Sequence, residues 1–252
     1  NTLEAMKTNP AAYCRGFSCE SELSADKINE LKQKVEDAYD SITLTTSYEE
    51  AGNDADLIIE AIAEDPKQKI AFYQKLAKHI PEKTIIATNS STMLPSAFAQ
   101  YKYLALHFAN EIWRNNTAEI MGHPDTGQEY YDAVCEFAEN INMIPLKLKK
   151  EQPGYILNSM LVPFLSAAEA LYADGVADFE TIDKTWMLAT GAPLGPFRIL
   201  DVVGLTTAYN IGMMNPKASD PDTIEGKVAA MLKEKIDAGK TGINSGEGFY
   251  KY

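Results

Sequence analysis

A histidine and a glutamate twelve residues apart are the side chains of this sequence best suited to acid–base chemistry. His107 ends the apolar run 103–106, and Glu119 lies within a second short apolar stretch. An imidazole takes up and releases protons near neutral pH, and a neighbouring carboxylate orients the ring and stabilises its protonated form. The interval is long enough for a turn and an adjacent strand to bring the two side chains together. The alternative is a capping histidine and an exposed strand glutamate.

Polar side chains also follow three successive segments that have the pattern of buried strands. These side chains are Glu64 after the first segment, Asn89, Ser90 and Ser91 after the second, and His107 and Asn110 after the third. In open parallel sheets, ligands bind outside the carboxyl ends of the strands. The three positions therefore predict a binding site at one edge of a sheet, with an imidazole in it.

The first half of the chain alternates strand and helix patterns. Short, nearly continuous apolar runs predict strands covered on both faces, and amphipathic runs between them predict helices. The predicted strands are 54–62, 83–91, 102–108, 117–122 and 143–148, and the predicted helices are 24–39, 67–80, 93–100 and 129–140. This alternation predicts an α/β fold with a Rossmann-like, mostly parallel sheet and right-handed crossovers.

From Gln152 onward the pattern is helical. Segments separated by glycine and proline predict helices over 154–175, 179–191, 195–214 and 224–240. Pro163 lies inside the first of these segments and is expected to kink it. We therefore expect two domains, an α/β domain over 1–149 and an all-helical domain over 150–252.

The composition excludes some classes of function. A net charge of −13 over 252 residues argues against nucleic-acid binding, because phosphates attract basic surfaces. No apolar run approaches the ~18 residues of a membrane span and no signal peptide is apparent, so we expect a cytoplasmic protein without membrane contact. Cys14, Cys19 and Cys135 are expected to be reduced thiols, with a Cys14–Cys19 disulfide as the alternative. His79 and His123 are expected to be solvated.

Six segments carry a resemblance to a known family. They are DADLIIEAIAEDPKQK, ATNSSTMLPS, LALHFANEIWRNNTAEIM, GYILNSMLVPFLSAAEAL, ATGAPLGPFRILDVVGL and GEGFYKY. In this order, between about Ile42 and Tyr252, they resemble the L-3-hydroxyacyl-CoA dehydrogenase family. The resemblance implies an NAD-dependent enzyme that interconverts a 3-hydroxyacyl-CoA and a 3-ketoacyl-CoA, so that an acyl-CoA is the substrate.

The same resemblance implies roles for individual residues. His107 matches the general base of the family, and Glu119 matches the glutamate that orients this base. Ser91 and Asn158 match residues that hydrogen-bond the reacting oxygen of the substrate. The positions that match the lining of the cofactor pocket are Glu64, Lys69, Asn110 and Ser91.

The helical half is also expected to form a homodimer. Segments 156–171 and 196–205 contain more apolar residues than one helix face needs for packing within a small domain. Exposed apolar patches of that size usually mark interfaces. The family resemblance implies the same arrangement.

The sequence departs from the family pattern at its start. Residues 1–56 contain no G-x-G-x-x-G turn, the segment that holds a pyrophosphate at a helix N-terminus. We therefore expect the N-terminal strand–loop–helix unit to be missing, and residues 1–252 made alone to bind NAD poorly and to be inactive or barely soluble. Ala109 and Glu111 replace an aromatic residue and a proline beside the histidine, and Asn244 replaces a lysine near the C-terminus. These smaller departures concern substrate choice and cofactor affinity.

Two other functions remain open from the sequence. One is a dehydrogenase of a free 3-hydroxy acid, of the gulonate dehydrogenase/lambda-crystallin group, which resembles this family around the histidine and the glutamate. The other is a non-catalytic binding protein that has lost its cofactor site, as the absent glycine turn suggests. The closing GEGFYKY favours the acyl-CoA branch. The presence of His107, Glu119, Ser91 and Asn158 together favours an enzyme.

Overall fold

The structure of the protein is a computed structural model. It describes residues 24–101, 103–110, 112 and 115–252. The chain divides into two compact units, the first ending at Ile156 and the second comprising Leu157–Tyr252. Cys135 is a buried free thiol, whereas Cys14 and Cys19 lie outside the described residues.

In the described part of the first unit, five strands form one sheet. In their order across the sheet they are β1 (Leu57–Glu60), β2 (Ile85–Thr88), β3 (Tyr103–Phe108), β4 (Thr117–Met121) and β5 (Ile144–Lys147). Neighbouring strands are parallel except β3 and β4, which are antiparallel. Only residues 109–116 join these two strands, which is too few for the crossover of about a dozen residues that a parallel pair needs. The prediction of a mostly parallel sheet is confirmed.

Two helices precede the strands of this sheet, and further helices and turns connect the strands. The helices are α1 (Ala25–Ser41), α2 (Tyr48–Gly52), α3 (Pro66–Leu76) and α4 (Gln128–Asn140), with a 3-10 helix at Pro95–Tyr101. α3 begins where the Asp65 side chain accepts a hydrogen bond from the backbone N–H of Gln68 at 2.8 Å, with Pro66 in the first turn. The predicted helix 67–80 was too long at its C-terminal end, because residues 77–80 form a turn.

The side chains of β3 alternate between the two faces of the sheet. Leu104 and Leu106 pack in one buried cluster with side chains of β4 and α4, and Tyr103 packs in another with Tyr73 of α3. Successive side chains of a strand point to opposite faces, so His107 projects to the same face as Tyr103. β3 is thus covered on both faces, as its continuous apolar run predicted.

The second unit is helical. α5 (Tyr155–Ala173) begins in the first unit and continues into the second, and it is followed by α6 (Phe179–Thr190), α7 (Pro196–Val203), α8 (Leu205–Gly212) and α9 (Ile224–Asp237), with 3-10 helices at Pro216–Ser219 and Ile243–Ser245. Segment 195–214 forms two helices, because Gly204 has a φ of 92° and interrupts the helical backbone. The buried core contains Leu165, Ala168, Phe197, Leu200, Leu205, Leu232 and Phe249.

A buried aspartate of α7 holds the C-terminal segment in place by hydrogen bonds. Asp201 on α7 is 1% exposed and accepts hydrogen bonds from the backbone N–H groups of Phe249 and Tyr250 at 2.8 and 2.9 Å. It also accepts one from the Tyr252 hydroxyl at 2.9 Å. Gly248 permits this approach, since a Cβ at that position would lie 2.0 Å from the Asp201 carboxylate. The closing GEGFYKY segment therefore has a clear structural role.

Replacing Asp201 with alanine should lower the free energy of unfolding. The change leaves two backbone N–H donors without their acceptor, and we expect a loss of roughly 2–4 kcal/mol in urea unfolding, since each unsatisfied buried group costs about 1–3 kcal/mol. The control is Asp174→Ala, which removes an exposed carboxylate 3.4 Å from the Lys227 ammonium and should cost less than about 1 kcal/mol. Equal losses for the two variants would contradict the role given to Asp201.

Helix α5 is apolar enough to raise the question of a membrane. One 18-residue window of it has a mean hydropathy of 1.4, so by length and composition it could cross a bilayer. The expectation from the sequence overlooked this helix. Leu165 and Ala168 of α5 are buried in the core of the second unit, whereas Met160 is 62% exposed. The absence of membrane contact stays a prediction.

Candidate active site

His107 and Glu119 are directly opposed in the antiparallel register of β3 and β4. His107 Nδ1 lies 3.3 Å from Glu119 Oε2, and the two residues are 6% and 4% exposed. Opposed residues of an antiparallel pair have Cβ atoms only about 5 Å apart, so the short connection between the strands is sufficient to make this contact. The structure thus brings together the two residues that their spacing singled out.

The second carboxylate oxygen of Glu119 is bound as well. Oε1 accepts a hydrogen bond from the backbone N–H of Ile156 at 2.8 Å. Ile156 lies in the first turn of α5, where N–H groups have no partner within the helix and carry partial positive charge. The carboxylate is therefore stabilised as an anion and oriented through both oxygens. In this position it can hold a proton of the imidazole on Nδ1.

A tyrosine that the sequence reasoning missed covers one face of the imidazole. The ring of Tyr155 stacks on His107, with centroids 4.3 Å apart and an angle of 13° between the planes. Its hydroxyl donates to the Ser90 carbonyl at 2.7 Å, and burial raises the pKa of the Tyr155 phenol well above its usual range. Tyr155 has a φ of 55°, which is rare outside glycine and occurs often at functional sites. The preceding Pro-Gly pair was the available signal for an unusual turn.

Ser91 is the exposed member of this group of residues. It follows β2, and its Oγ lies 3.3 Å from His107 Nε2, the ring nitrogen that faces away from Glu119. With the ring proton on Nδ1, Nε2 has a free lone pair. A substrate hydroxyl placed beside Ser91 would meet both a hydrogen-bonding hydroxyl and a nitrogen able to accept its proton.

Glu64 holds the loop that carries Ser91. Its Oε1 accepts hydrogen bonds from the Ser90 hydroxyl at 2.6 Å and from the backbone N–H and hydroxyl of Thr92 at 2.9 and 2.7 Å. Burial on its own raises the pKa of Glu64, but these hydrogen bonds and the charge of Lys69 hold that pKa below its usual value. The charged carboxylate therefore fixes the residues on both sides of Ser91.

Replacing Glu64 with alanine should slow the reaction by loosening this loop. Without its acceptor, Ser91 is less well placed beside His107, and we expect kcat to fall by roughly 10- to 100-fold, since a misplacement of about 1 Å can cost that much. Glu64→Gln keeps an acceptor oxygen and should recover part of the rate. Steady-state kinetics of the three proteins provides the comparison. Identical kcat values would show that the loop does not depend on Glu64.

Lys69 lies in a buried network at the end of β1. Its ammonium is 2.7 and 2.9 Å from the two carboxylate oxygens of Glu60 and 3.6 Å from Glu64. Glu60, which the sequence reasoning did not single out, also accepts from the hydroxyls of Tyr73 and Thr88 at 2.6 and 2.8 Å. Lys69 is 0% exposed, whereas the Glu64 side chain is 38% exposed. Lys69 is therefore shielded from solvent, and Glu64 is the member of this network that a bound ligand can contact.

Asn110 and Asn158 lie in different units. Asn110 follows β3 with an exposed side chain, and its backbone carbonyl accepts a hydrogen bond from the Asn115 side chain at 2.9 Å. Glu111, the neighbouring departure from the family pattern, lies outside the described residues. Asn158 lies on α5 in the second unit and is half-buried. The roles of Asn110 and Asn158 toward cofactor and substrate stay predictions.

The described residues can hold part of a dinucleotide. The carboxyl ends of β1, β2 and β3 are adjacent, and the carboxylate of Glu64, the hydroxyl of Ser91 and the amide of Asn110 offer hydrogen bonds there to a ribose or a carboxamide. Between Ser24 and Tyr252, the described residues contain no glycine-rich turn between a strand and a helix that would hold a pyrophosphate. When bound, NAD supplies the acceptor or donor of a hydride.

The prediction that His123 is solvated was wrong. It is 8% exposed, and its Nδ1 accepts a hydrogen bond from the backbone N–H of Asp125 at 3.2 Å. Its Nε2 is buried without a hydrogen-bond partner among the described residues. His79 is half-buried, with its ring centroid 6.4 Å from that of Tyr48. The prediction rested on the position of His123 in a turn, and this position does not show that the folded chain covers the imidazole ring.

Comparison with known proteins covers both units. The family model described as "3-hydroxyacyl-CoA dehydrogenase, NAD binding domain" matches residues 5–152, and the one described as "3-hydroxyacyl-CoA dehydrogenase, C-terminal domain" matches residues 154–252. The mitochondrial hydroxyacyl-coenzyme A dehydrogenase of Sus scrofa is 34% identical over 86% of this chain and 70% of its own length. The 3-hydroxybutyryl-CoA dehydrogenase of Clostridioides difficile is 31% identical over 84% of this chain and 75% of its own.

A solved structure of a diketoreductase, which catalyses reactions of dicarbonyl compounds, is also similar. It superimposes with a TM-score of 0.81 at 48% sequence identity, over 100% of this chain and 88% of its own. The two family models together span almost all of the chain, and the first of them describes an NAD-binding domain. The chain therefore belongs to the 3-hydroxyacyl-CoA dehydrogenase family of NAD-dependent enzymes.

Proposed function

We propose that the protein interconverts a 3-hydroxyacyl-CoA and a 3-ketoacyl-CoA, with His107 as the general base and Glu119 as the residue that positions it. The observation that carries this proposal is the line of contacts from Ser91 Oγ through His107 and Glu119 to the backbone N–H of Ile156, at distances of 2.8–3.3 Å. It leaves one nitrogen of a buried imidazole directed at an exposed serine, where a substrate hydroxyl can bind.

The same contacts describe the proton transfer of the proposed reaction. In the oxidation, the O–H bond of the substrate hydroxyl breaks and its proton passes to His107 Nε2. The C3–H bond of the carbon that carries this hydroxyl also breaks, and the C3–O bond becomes a carbonyl; when bound, NAD would accept the hydride that leaves. The Glu119 carboxylate stabilises the imidazolium that forms. In the reduction, the imidazolium returns its proton to the same oxygen, which the Ser91 hydroxyl hydrogen-bonds in both directions.

Reduction of a dicarbonyl compound without CoA is the second candidate function. It is favoured by the 48% identity to the diketoreductase. A free 3-hydroxy acid is a related possibility from the sequence. The proton transfer at His107 is the same for all of these substrates, because each reacts at a carbon that carries a hydroxyl or a ketone oxygen. The groups that recognise the remainder of the substrate decide between them.

Oxidation of NADH by a matched set of ketones separates these candidates. Acetoacetyl-CoA, acetoacetate and an acetoacetate ester carry the same 3-keto group on a thioester, a free acid and an ester. We expect kcat/KM to be at least ~100-fold higher for acetoacetyl-CoA, because binding of the distant CoA group contributes to catalysis. A comparable preference for the ester or the free acid would support the second candidate or its relative. No oxidation with any of the three, by a protein that binds NADH, would contradict both.

We also propose a homodimer formed through the helical unit. Large apolar side chains are exposed on α5 (Leu157, Met160 and Leu171) and on α6 (Trp186 and Leu188). Apolar patches of this kind usually mark protein interfaces. We expect light scattering to give a dimer at micromolar concentration, and Met160→Lys with Leu188→Lys to weaken association by at least ~10-fold. Glu180→Lys, an exposed polar position on α6, is the control. A monomeric wild-type protein would contradict the proposal.

A further inference from the structure

The second unit contains a cavity that no residue assigned to the dehydrogenase reaction lines. Its volume is about 480 Å³, and its walls come mainly from α5, α7, α8 and α9. The buried side chains of Leu165, Leu200 and Leu232 contribute apolar surface, and Ser166 and Ile211 are among its exposed lining residues. Cavities of this volume commonly hold small ligands.

One carboxyl group in the wall of this cavity is buried. Glu169 on α5 is 6% exposed, and its Oε1 is buried without a hydrogen-bond partner among the described residues. No lysine, arginine or histidine is among the described residues that line the cavity, and the other titratable groups there are Tyr209 on α8 and Glu225 on α9. A buried carboxyl without a partner is costly and uncommon, so its presence in a cavity wall points to a missing partner.

We propose that this cavity binds a small organic cation, an ammonium group on an apolar body, with the ammonium paired to Glu169. The ammonium supplies the charge and the hydrogen-bond donors that the carboxylate lacks, and the apolar body covers the leucine side chains of the wall. A carboxylate or phosphate ligand would instead meet Glu169 and Glu225 with no basic side chain to compensate. This site goes beyond the proposed function and does not depend on it.

The pairing of the ammonium with the Glu169 carboxylate determines how the affinity for the cation changes with pH. Burial raises the pKa of Glu169 to about 7. An alkylammonium stays protonated from pH 6 to pH 8, whereas the ionised fraction of a carboxyl with that pKa rises roughly tenfold over this range. The affinity for the cation should therefore increase by about that factor. A ligand that accepts a hydrogen bond from the neutral carboxyl would show the opposite trend.

Calorimetric titration of the whole chain with 2-phenylethylamine, and with the neutral isostere 2-phenylethanol, tests the proposal. We expect the amine to bind more tightly at pH 8 than at pH 6 and the alcohol to bind at least ~10-fold more weakly than the amine at pH 8. At pH 8, Glu169→Gln should lose at least ~10-fold in affinity for the amine, because the charge is removed while the shape is kept. Glu225→Gln is the matched control and should stay within about threefold.

Several results would overturn the proposal. They are equal amine affinity in Glu169→Gln and wild type at pH 8, equal affinity for amine and alcohol at pH 8, tighter amine binding at pH 6 than at pH 8, and no amine binding at millimolar concentration. A dimeric wild type that becomes monomeric in Glu169→Gln would show that a second copy of the chain covers the cavity instead. Should Glu169→Gln fail to fold in a thermal melt, the pH series and the alcohol comparison on the wild-type protein still decide.

Discussion

Replacing His107 with alanine is expected to lower kcat by roughly 10²- to 10⁴-fold, the usual contribution of general acid–base catalysis. The change removes the Nε2 atom that takes the hydroxyl proton, 3.3 Å from Ser91 Oγ, while the loop held by Glu64 is untouched. The affinity for NADH should change by less than about threefold, because removal of the base acts on the transition state. The measurement is NADH oxidation with saturating acetoacetyl-CoA, together with a fluorescence titration of NADH.

Two further variants control for damage to the fold around His107. His107→Asn keeps a hydrogen-bond donor toward Glu119 but supplies no base, so its rate should be as low as that of His107→Ala. His79→Ala removes a half-buried histidine beside Tyr48 and should keep nearly the wild-type rate. A normal kcat in His107→Asn would exclude His107 as the base. A loss in His79→Ala equal to that in His107→Ala would point to a general effect of removing an imidazole.

Replacing Glu119 with glutamine is expected to lower kcat by roughly 10- to 10³-fold, a smaller effect than loss of the base itself. Glutamine retains an oxygen that can accept from the backbone N–H of Ile156, so the turn at the start of α5 should persist. It lacks the negative charge that stabilises the imidazolium at 3.3 Å. The loss should therefore appear in kcat, with a thermal melting temperature close to that of the wild-type protein.

Glu136→Gln is the matched control for this change. Glu136 is an exposed residue of α4, and its replacement removes the same charge away from the candidate site. We expect wild-type kinetics from it. An unchanged kcat in Glu119→Gln would show that Glu119 serves only the strand and the start of α5. Equal losses in both variants would trace the effect to the net charge of the protein.

The elements of the first unit were predictable because local pattern and burial coincide there. The apolar run of β3 is covered on both faces, and each observed strand falls within a predicted segment. The antiparallel orientation of β4 followed from the short connection at 109–116 and was not anticipated. That same orientation makes the contact between His107 and Glu119 a local one, which explains why their spacing was informative.

The residues that the sequence reasoning missed make contacts over long sequence separations. The Tyr155 hydroxyl bonds the Ser90 carbonyl across 65 residues, and Glu60 accepts from the Thr88 hydroxyl across 28. No periodicity connects positions so far apart, because such contacts arise only when separate elements pack together. In the sequence Glu60 has the pattern of an ordinary strand residue. Only the fold places the buried ammonium of Lys69 beside it.

In the helical unit the helices were predictable from the sequence, but the faces that they bury were not. Apolar periodicity indicates these helices, and glycine and proline residues mark where they end. α5, however, has apolar residues on several faces. Periodicity alone does not tell which of these faces the core covers. The burial of Glu169 was not predictable for the same reason, since a single carboxylate in an apolar helix has the sequence pattern of a solvated position.

Transfer of deuterium from NADH dideuterated at C4 to acetoacetyl-CoA, followed by mass spectrometry, tests the central claim most directly, because a deuteride leaves from either face of the ring. The experiment compares the wild-type protein with His107→Ala under single-turnover conditions and at saturating NADH. It uses the chain joined to an N-terminal strand–glycine loop–helix unit if residues 1–252 alone bind NADH poorly. We predict a 3-hydroxybutyryl-CoA product that carries one deuterium at C3, formed by the wild type and slower by roughly 10²-fold or more in His107→Ala. A product without deuterium, or the same rate of deuterium transfer in both proteins, would contradict hydride transfer at a site where His107 moves the proton.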